Sequence, residues 1–431
     1  MSRPLSVALA GLGTVGVGVL HLLRENADLI AGRAGRPIAV TAVSARDRGR
    51  DRGLTLAGLR WYDEPEALAD DPEADVIVEV IGGAEGPARA LVERALAAGK
   101  PVVTANKALI AVHGAALAAR AEASGAALAF EAAVAGGIPV IKVLREGLAA
   151  NRLSRISGIL NGTCNFILTV MRERGREFAE VLAEAQKLGY AEADPAFDID
   201  GIDAAHKLAI LTALAFGHPV DFAAVHVEGI RAISALDIAL AGELGYRIKL
   251  LGIARRTAAG IEARVHPAMV PAAAPIARVD GVFNAVVAEG DFVGRVMLEG
   301  RGAGAGPTAS AIVADLIDIA RGRATPVWGA ANGALDASLP SLGIAAHHGA
   351  YYLRLMVVDR PGVIADVTAI LRDLGVSLES MLQRGRAPGE AVPVVLVTHE
   401  TSETAMREAV ARIAALDIAV ERPALIRIER G

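Results

Sequence analysis

The chain has 431 residues, of which 53% are hydrophobic but only 3% aromatic, so we expect several domains with a large, mainly aliphatic interior. Its net charge of −5 gives no electrostatic reason to expect nucleic acid or an anionic membrane surface as a partner. A single cysteine excludes an intrachain disulfide and suits a reducing cytoplasm.

A glycine-rich turn follows the first apolar run. Residues 7–16 read Val-Ala-Leu-Ala-Gly-Leu-Gly-Thr-Val-Gly, a short strand followed by the G-x-G-x-x-G spacing, and a helix-like run continues to Leu23. Glycines at this spacing allow a tight turn and let a pyrophosphate approach the N-terminus of the helix. The predicted nucleotide contacts are Gly11, Gly13, Thr14, Val15 and Gly16.

The same stretch has an alternative interpretation as a signal peptide or membrane span, because residues 5–23 contain no Asp, Glu, Lys or Arg. Four glycines within it, only Arg3 as a positive charge before it and no small-x-small cleavage site after it argue against that alternative. No other uncharged run is long enough to span a bilayer. We therefore favour the nucleotide-binding turn.

Strand-like and helix-like runs alternate after this turn. We predict strands at residues 38–44, 75–81, 101–104 and 126–130, and a helix at residues 87–98. Such alternation implies a parallel sheet covered by helices. Residues 1–130 are therefore predicted to form a Rossmann-type domain, to which a helix within residues 307–322 returns.

The end of the second strand bears on the choice of coenzyme. An NAD site usually has an acidic residue there to bind the ribose hydroxyls, whereas Ser44 and Arg46 of this chain could receive a 2′-phosphate. NADP is therefore favoured, and Asp47 keeps NAD open. An equally weighted alternative makes Arg46 part of a solvated charge run with Arg48, Arg50 and Arg52.

Three further candidate residues follow predicted strands. Ligands of parallel sheets lie beyond the carboxyl ends of the strands, where Thr104 and Lys107 fall, so both are candidate contacts to cofactor or substrate. Glu131 ends the next predicted strand and precedes a glycine-rich loop at residues 132–139. A carboxylate beside free loop carbonyls can hold a hard cation, although such a position is more often a simple strand-end turn.

Residues 192–207 place five carboxylates and one lysine ammonium at the start of an almost wholly apolar segment. From Ala204 onward apolar residues occupy every face of a helical pattern, which indicates a helix buried in the interior. Asp203 and Lys207 are four residues apart and share one face of it. Burial should lower the pKa of Lys207, and Asp203 should oppose that shift. In the structural alternative, Asp200 caps the helix, Asp203 complements its dipole and Lys207 completes a surface ion pair.

These blocks together resemble the monofunctional homoserine dehydrogenases that carry a C-terminal ACT domain. The resemblance covers most of the chain, and the block at residues 188–207 is specific to that family. The matching stretches are residues 11–16, 104–107, 131–139, 157–166, 188–195, 198–207 and 302–304.

The resemblance implies reversible hydride transfer between L-homoserine and L-aspartate 4-semialdehyde with NADP or NAD, in the biosynthesis of threonine, methionine and isoleucine. It makes Lys207 the general acid/base at the substrate oxygen, Asp203 the residue that orients substrate and lysine, and Glu192 the partner of the substrate ammonium. The remaining implied roles are Lys107 near the nicotinamide, Gly189 and Gly304 at the cofactor, Asp194 and Asp198 around the substrate pocket, and Glu131 with the carbonyls of Val134, Gly136 and Ile138 at a monovalent cation, sodium or potassium.

The rest of the chain divides into two predicted domains and a connector. Residues 131–306 read as an α+β domain for substrate binding and subunit contact, and residues 323–348 as a connector rich in Gly, Ala and Pro. Residues 349–431 show the βαββαβ order of a ferredoxin-like fold. The predicted strands are at residues 153–160, 282–287, 351–358, 377–383, 392–399 and 424–428, and the helices at 177–188, 202–216, 232–240, 364–374 and 403–416.

The C-terminal domain resembles an ACT domain, whose first turn commonly helps to bind a small amino acid. In this chain that turn is Pro361, Gly362 and Val363. L-threonine, as the end product of the pathway, is the natural hypothesis for the ligand. The alternative is a dimerisation module without a ligand. The resemblance also implies a homodimer or a higher homo-oligomer.

Two other functions stay open at this point. An aspartate-semialdehyde enzyme acting through an acyl phosphate needs a cysteine nucleophile beside a cation, but residues 161–168 around Cys164 supply none, so a structural thiol is favoured. His206 is likewise more readily a packing residue than a ligand, because no second histidine lies at metal spacing from it. A non-catalytic amino-acid sensor would have no need to bury Asp203 with Lys207.

Overall fold

The computed structural model describes residues 3–383 and 389–430. In chain order the first part contains β1 (Leu5–Ala10), α1 (Thr14–Glu25), α2 (Ala27–Ala34), β2 (Ile38–Ser44), β3 (Arg60–Tyr62), β4 (Val76–Glu79), α3 (Pro87–Ala97), β5 (Val102–Thr104), α4 (Lys107–Ser124) and β6 (Leu128–Ala129). These strands form one parallel sheet in the order β3-β2-β1-β4-β5-β6. The strand order reverses direction between β1 and β4, where such sheets have a cleft at their carboxyl ends. The predicted Rossmann-type domain is confirmed.

The middle part forms an antiparallel sheet covered by helices. It contains α5 (Val140–Lys142), β7 (Leu153–Ile159), α6 (Gly162–Arg174), α7 (Phe178–Lys187), α8 (Ala196–Ile199), α9 (Ile202–Phe216), β8 (His226–Val227), α10 (Ala235–Glu243), β9 (Tyr246–Arg256), β10 (Ile261–Pro271), β11 (Phe283–Gly290), β12 (Gly294–Arg301) and α11 (Ala305–Ala320). The sheet runs β12-β11-β7-β9-β10. Helix α9 contacts β7, β9 and β10 and is buried from Asp203 to Leu214, as its all-round apolar pattern predicts.

Helix α11 returns to the first domain and packs against α1. Its residues Ala309 and Ile312 join the same apolar core as Leu9 and Val19. The two helices approach closely because Gly18 has no side chain: a Cβ there would lie 2.7 Å from the carbonyl oxygen of Ala305. Two separate stretches of the chain therefore build the nucleotide domain.

The C-terminal part has the predicted βαββαβ order. It contains β13 (Ser341–Leu342), β14 (His348–Val358), α12 (Val363–Asp373), β15 (Leu378–Gln383), β16 (Ala391–Thr398), β17 (Thr401–Ser402), α13 (Glu403–Ala414) and β18 (Ala424–Ile428). Its sheet runs β18-β14-β16-β15 and is antiparallel. Strand β18 also pairs in parallel with β10, Arg427 opposite Ala268 and Ile428 opposite Met269. The middle and C-terminal sheets are thereby one continuous sheet.

Several elements differ from the sequence prediction. The run predicted at residues 75–81 is the fourth strand rather than the third, because β3 is only three residues long and gives no periodic pattern. The hairpin of β9 and β10 was not predicted. The predicted connector packs against the first domain: Val327 and Trp328 are buried, and the Trp328 ring lies 5.5 Å from that of Phe130. Within the described residues, no helix is long and apolar enough to cross a membrane.

Candidate active site

Asp203 links two lysines that belong to different domains. Its Oδ2 accepts a hydrogen bond from Nζ of Lys207 at 2.7 Å, and its Oδ1 lies 3.0 Å from Nζ of Lys107. Lys107 begins α4 at the carboxyl end of the Rossmann sheet, whereas Asp203 and Lys207 lie one turn apart on α9. Nζ of Lys207 also donates to the carbonyl oxygen of Leu160 at 2.8 Å. The charged groups therefore meet where the two domains face each other.

The electrostatic balance at this pair follows from burial and from the neighbouring charges. Burial lowers the pKa of Lys207, and although Asp203 opposes the shift, the pKa stays below that of an ordinary lysine. Burial alone would raise the pKa of Asp203, but the ammonium groups of Lys207 and Lys107 outweigh it, so the net pKa is lowered. Asp203 is therefore ionised, and Lys207 releases a proton more readily than an exposed lysine does. The structural alternative of a surface ion pair is wrong, because Lys207 is only 8% exposed.

Two residues that the sequence reading did not single out extend the cluster to Asp198. The amide of Asn161 donates to Oδ2 of Asp203 at 2.9 Å and to Oδ1 of Asp198 at 2.8 Å. The hydroxyl of Thr163 lies 3.3 Å from Oδ2 of Asp198 and donates to the carbonyl oxygen of Tyr190 at 2.7 Å. The available signal was an asparagine directly before a helical run, the usual pattern of a helix N-cap.

The other carboxylates of the acidic segment lie outside this cluster. Glu192 and Asp194 are exposed, and Asp194 accepts a hydrogen bond from the backbone of Ala196 at 3.1 Å. Asp200 forms an ion pair with Arg231. The expectation that Asp200 caps α9 is wrong, because the N-cap is Gly201 and no side chain caps the helix.

The glycine turn has the shape that a dinucleotide requires. A Cβ on Gly11 would lie 2.7 Å from the carbonyl oxygen of Val80, and one on Gly16 would lie 2.0 Å from that of Gly11, so neither position has room for a side chain. Gly13, the N-cap of α1, has no atom within 4 Å of a Cβ built on it. Thr14 and Val15 begin α1, whose free N–H groups can meet a pyrophosphate at this open position. The predicted contacts thus fit a nicotinamide dinucleotide.

Glu79 fixes the edge of this cleft and was not predicted from the sequence. It is fully buried at the end of β4, where Oε1 accepts the backbone N–H groups of Ile81 and Gly82 at 2.7 and 3.0 Å. Its Oε2 accepts the hydroxyl of Thr104 at 2.5 Å. Asn106 then caps α4 by accepting the N–H of Leu109 at 3.1 Å. These bonds hold the turn that carries Lys107.

The basic loop after β2 surrounds Trp61. The guanidinium carbons of Arg48 and Arg52 lie 5.4 and 5.8 Å from the centre of its ring, and Nε of Arg52 donates to the carbonyl oxygen of Leu12 at 3.2 Å. Arg46 is exposed at the start of this loop. The hydroxyl of Ser44 is buried, so Ser44 does not share the phosphate-facing position expected of it.

The two glycines assigned to the cofactor by resemblance lie at helix ends. Gly304 is the residue before α11, next to the contact of that helix with α1. Gly189 follows α7 on the exposed side of the acidic segment. Both positions have positive φ, +116° and +76°.

Glu131 follows β6, the last strand of the Rossmann sheet, and lies in a group of charges with Asp315 and Lys142. Its two carboxylate oxygens accept the N–H groups of Ile141 and Lys142 at 2.9 and 2.8 Å, and its own N–H donates to Asp315 at 2.9 Å. Burial and the charge of Asp315 raise the pKa of Glu131 to about 7. The carbonyl oxygen of Ile138 accepts the N–H of Val140 at 2.7 Å. Val134 and Gly136 belong to the same loop. The candidate cation ligands are therefore the carboxylate of Glu131 and three backbone carbonyls, and such oxygen ligands suit a hard cation.

Cys164 and His206 have the environments of structural residues. The thiol of Cys164 is buried, its Sγ donates to the carbonyl oxygen of Asp198 at 3.2 Å, and burial followed by nearby carboxylates raises its pKa, so it is poorly suited to form a thiolate. His206 is buried with its ring centre 4.2 Å from that of Phe222 and 5.6 Å from that of Phe197.

The first turn of the C-terminal domain lines a cavity of about 430 Å³. Pro361 and Gly362 lie between β14 and α12, and Val363 begins α12. Gly362 is the N-cap of that helix, with a φ of +94°. Ala365 of α12 and Val392 of β16 close the cavity from the sides.

A Rossmann sheet with an open glycine turn, facing a buried lysine and carboxylate, defines a nicotinamide-nucleotide-dependent oxidoreductase. Family profiles specify it further: "Homoserine dehydrogenase, NAD binding domain" matches residues 11–131, "Homoserine dehydrogenase" matches residues 139–317 and "ACT domain" matches residues 351–417. The chain belongs to the homoserine dehydrogenase family, with an ACT domain at its C-terminal end.

Individual relatives extend along the whole chain. The homoserine dehydrogenase of Pseudomonas aeruginosa is 49% identical and that of Neisseria gonorrhoeae 46%, each with 99% of both chains covered. A crystal structure of a homoserine dehydrogenase from Thiobacillus denitrificans is 50% identical, with a TM-score of 0.94 over 99% of both chains. An archaeal homoserine dehydrogenase solved with NADPH is 28% identical, with a TM-score of 0.63 over 73% of this chain and 97% of its own.

Proposed function

We propose that the protein interconverts L-homoserine and L-aspartate 4-semialdehyde and that Lys207 exchanges the proton of the substrate oxygen. The observation that supports this most directly is the buried pair of Lys207 and Asp203, which meets Lys107 of the nucleotide domain. Hydride and proton transfer act on one carbon–oxygen bond, so the cofactor domain and the acid/base must converge at one place. The bound nicotinamide supplies the hydride exchange.

The proton follows a defined course in each direction. When the semialdehyde is reduced, the ammonium of Lys207 donates a proton to the oxygen on which negative charge develops. When homoserine is oxidised, neutral Lys207 takes the hydroxyl proton as the carbonyl forms. Its lowered pKa increases the neutral fraction, while Asp203, which remains ionised, holds the amine in place in both directions.

An amino-acid substrate needs charged partners for its ammonium and for its carboxylate. The side chain of Lys107 is 33% exposed and so can meet the substrate oxygen or carboxylate from the cleft. Glu192 and Asp194 on the exposed segment and Asp198 in the pocket are the carboxylates we assign to the substrate side. Glu192→Gln should raise KM for homoserine with less change in kcat, since it removes a binding charge. An unchanged KM would exclude Glu192 from this role.

NADP is the coenzyme that Arg46 favours. A guanidinium beside the ribose binds a 2′-phosphate, which NAD lacks. Arg46→Ala should lower kcat/KM for NADPH about tenfold or more and leave that for NADH nearly unchanged. Arg48→Ala and Arg50→Ala are the matched controls: equal losses in all three variants would indicate a diffuse charge effect instead.

A monovalent cation at Glu131 and the carbonyls of Val134, Gly136 and Ile138 is a further proposal. The all-oxygen donor set and the buried carboxylates of Glu131 and Asp315 support it. The melting temperature should rise when choline chloride is replaced by NaCl or KCl at equal ionic strength, and Glu131→Gln should abolish that rise. A melting temperature independent of the cation would end the proposal.

Feedback regulation by L-threonine through the cavity at Gly362 is the third proposal. Ala365 lines that cavity and is exposed, so Ala365→Phe should occupy part of it and weaken threonine inhibition. Ala411→Phe places the same ring on an exposed site of α13 outside the cavity and should not. Equal inhibition of both variants would exclude the cavity. The oligomeric state, proposed as a homodimer, can be measured on the same samples by light scattering.

The deciding experiment is an assay of purified protein with L-homoserine and NADP⁺ or NAD⁺ at alkaline pH, followed at 340 nm. Turnover is expected, together with retained turnover in Cys164→Ser because the thiol is not the nucleophile. Loss of activity in Cys164→Ser would favour the aspartate-semialdehyde reaction. Absence of turnover in folded, nucleotide-binding protein would favour a sensor.

A further inference from the structure

Asn161 holds a fixed position between the sheet and the helices of the site. It follows β7, is only 4% exposed and is the N-cap of α6, where its Oδ1 accepts the N–H of Cys164 at 2.8 Å. Because the amide is planar, this bond also fixes the direction of Nδ2. The side chain therefore meets the acidic segment in one orientation only.

Both hydrogens of that amide nitrogen are used on carboxylates. One goes to Oδ2 of Asp203 at 2.9 Å and the other to Oδ1 of Asp198 at 2.8 Å. Neither lysine bonds to Asp198 in the described structure: Lys207 bonds to Asp203 and to the carbonyl of Leu160, and Lys107 lies against the other oxygen of Asp203. Asn161 is thus the described side chain that joins the two carboxylates.

We propose that Asn161 is a positioning residue of the reaction, whose amide keeps Asp198 and Asp203 ionised side by side so that Asp203 can orient both lysines. The carboxylates of buried Asp203 and half-buried Asp198 repel each other, and a shared neutral donor stabilises their charged forms together. Without it, one of the two carboxylates takes up a proton at a higher pH. A protonated Asp203 would no longer hold the ammonium of Lys207.

The titratable groups around Asp198 and Asp203 come mainly from three helices. Burial, and then the charge of Asp203, already raise the pKa of Asp198, and the amide of Asn161 opposes the rise. The other titratable groups around the two carboxylates are Lys107 from α4, Cys164 from α6, and His206 and Lys207 from α9, with Asp200 in the loop before α9. The amide does not titrate, so its replacement by another neutral side chain changes the balance between the two carboxylates without adding a charge.

Two variants separate this role from helix capping. Asn161→Asp keeps the shape and the cap but replaces both donors with the oxygen of a third carboxyl group. Asn161→Ser keeps a cap and loses the paired donors without adding an acid, so it tests the loss of the donors alone. In both, kcat should fall about tenfold or more and the acid limb of the kcat/KM profile should move to higher pH by about one unit. The Kd for NADPH should not change. Ser402→Ala removes the N-cap of α13, which accepts the N–H of Ala405 at 3.2 Å, and should keep the wild-type profile.

Two outcomes would overturn the proposal. One is a wild-type kcat and pH profile in both Asn161 variants. The other is a loss of activity that follows the melting temperature while the acid limb stays in place, which is the behaviour of a cap alone. The proposal rests on the function proposed for Lys207. Activity retained in Lys207→Ala removes that function, whereas an inactive Lys207→Ala beside unaffected Asn161 variants removes only the role of Asn161.

Discussion

Lys207 carries the sharpest prediction at the scale of the residue. Lys207→Ala should lower kcat by about a hundredfold or more, the usual magnitude for lost acid/base catalysis, while the protein still binds NADPH. Stopped assays in both directions, with cofactor fluorescence for binding, measure the two quantities. Lys187→Ala, at an exposed lysine that ends α7, is the matched control. Turnover that persists in Lys207→Ala would remove the residue from its role.

Residue by residue, local spacing predicted the pair on α9 but not its surroundings. Asp203 and Lys207 are four residues apart, so one helix suffices to place them together. The approach of Lys107 to Asp203 depends on how two domains meet, which no local pattern encodes. Asn161 lies in one of the stretches that resemble the family, but the carboxylates to which it bonds belong to α8 and α9, about forty positions further along the chain. Its role therefore needed the structure.

At the scale of the element, two glycines at the start of α1 should have different roles: Gly16 affects the stability of the protein, and Gly13 affects its affinity for the nucleotide. Gly16→Ala places a Cβ 2.0 Å from the carbonyl oxygen of Gly11 and should lower the free energy of unfolding by roughly 1–3 kcal/mol. Gly13 has a φ of −81° and open space, so Gly13→Ala should leave the free energy of unfolding unchanged and raise the Kd for NADPH about tenfold.

Urea denaturation and cofactor titration of the two variants test this separation. Gly32→Ala in α2 is the control, because a Cβ there also meets no atom within 4 Å. It should leave the Kd for NADPH unchanged and should change the free energy of unfolding by at most about 1 kcal/mol. Equal losses of affinity and of stability in Gly13→Ala would contradict the prediction.

Elements with clear periodicity were predicted well. The bounds expected for β2, α9 and β18 agree with the structure, since each is bounded by turn residues or by a change of composition. The hairpin of β9 and β10 was missed because β9 is buried on both faces from Ile248 to Ala254, so its side chains do not alternate in polarity. A fully buried lysine, Lys249, further obscures the strand.

At the scale of the whole molecule, buried ion pairs join the ACT domain to the substrate domain. Arg354 of β14 donates from Nε to Asp237 of α10 at 2.6 Å, and the hydroxyl of Tyr352 donates to the same oxygen at 3.1 Å. Arg354→Leu would leave Asp237 buried with its positive partner removed and should destabilise the protein by about 3–5 kcal/mol.

The matched control is Arg360→Leu, which breaks the exposed pair with Asp417 and should lower stability by at most about 1 kcal/mol. Adding Asp237→Asn to Arg354→Leu should recover part of the loss, because the uncompensated charge is removed. Similar destabilisation by Arg354→Leu and Arg360→Leu in urea would show that the buried pair has no special weight.

The ion pairs that Glu429 forms with Arg264 and Arg155 of the substrate domain predict that the stability of the protein depends on acid pH. Burial would raise the pKa of Glu429, but Arg264 and Arg155 outweigh it and lower the pKa from 4.5 to about 2. A carboxylate with a depressed pKa contributes stability that is present above pH 4.5 and is lost as the pH falls toward 2. Glu429→Gln should therefore flatten the fall in melting temperature over this interval, relative to wild type. An unchanged slope would show that other groups control it.

The single cysteine is buried, so the rate at which a thiol reagent modifies it can report local opening of the structure. Cys164 lies on α6, and its Sγ donates to the carbonyl oxygen of Asp198 in α8. We therefore expect a thiol reagent to reach it when these two helices separate. The rate of its modification, which needs no engineered label, then measures how often α6 and α8 separate on the substrate side of the site. Homoserine together with nucleotide should slow that rate, while threonine reveals whether the distant domain tightens or loosens the same two helices.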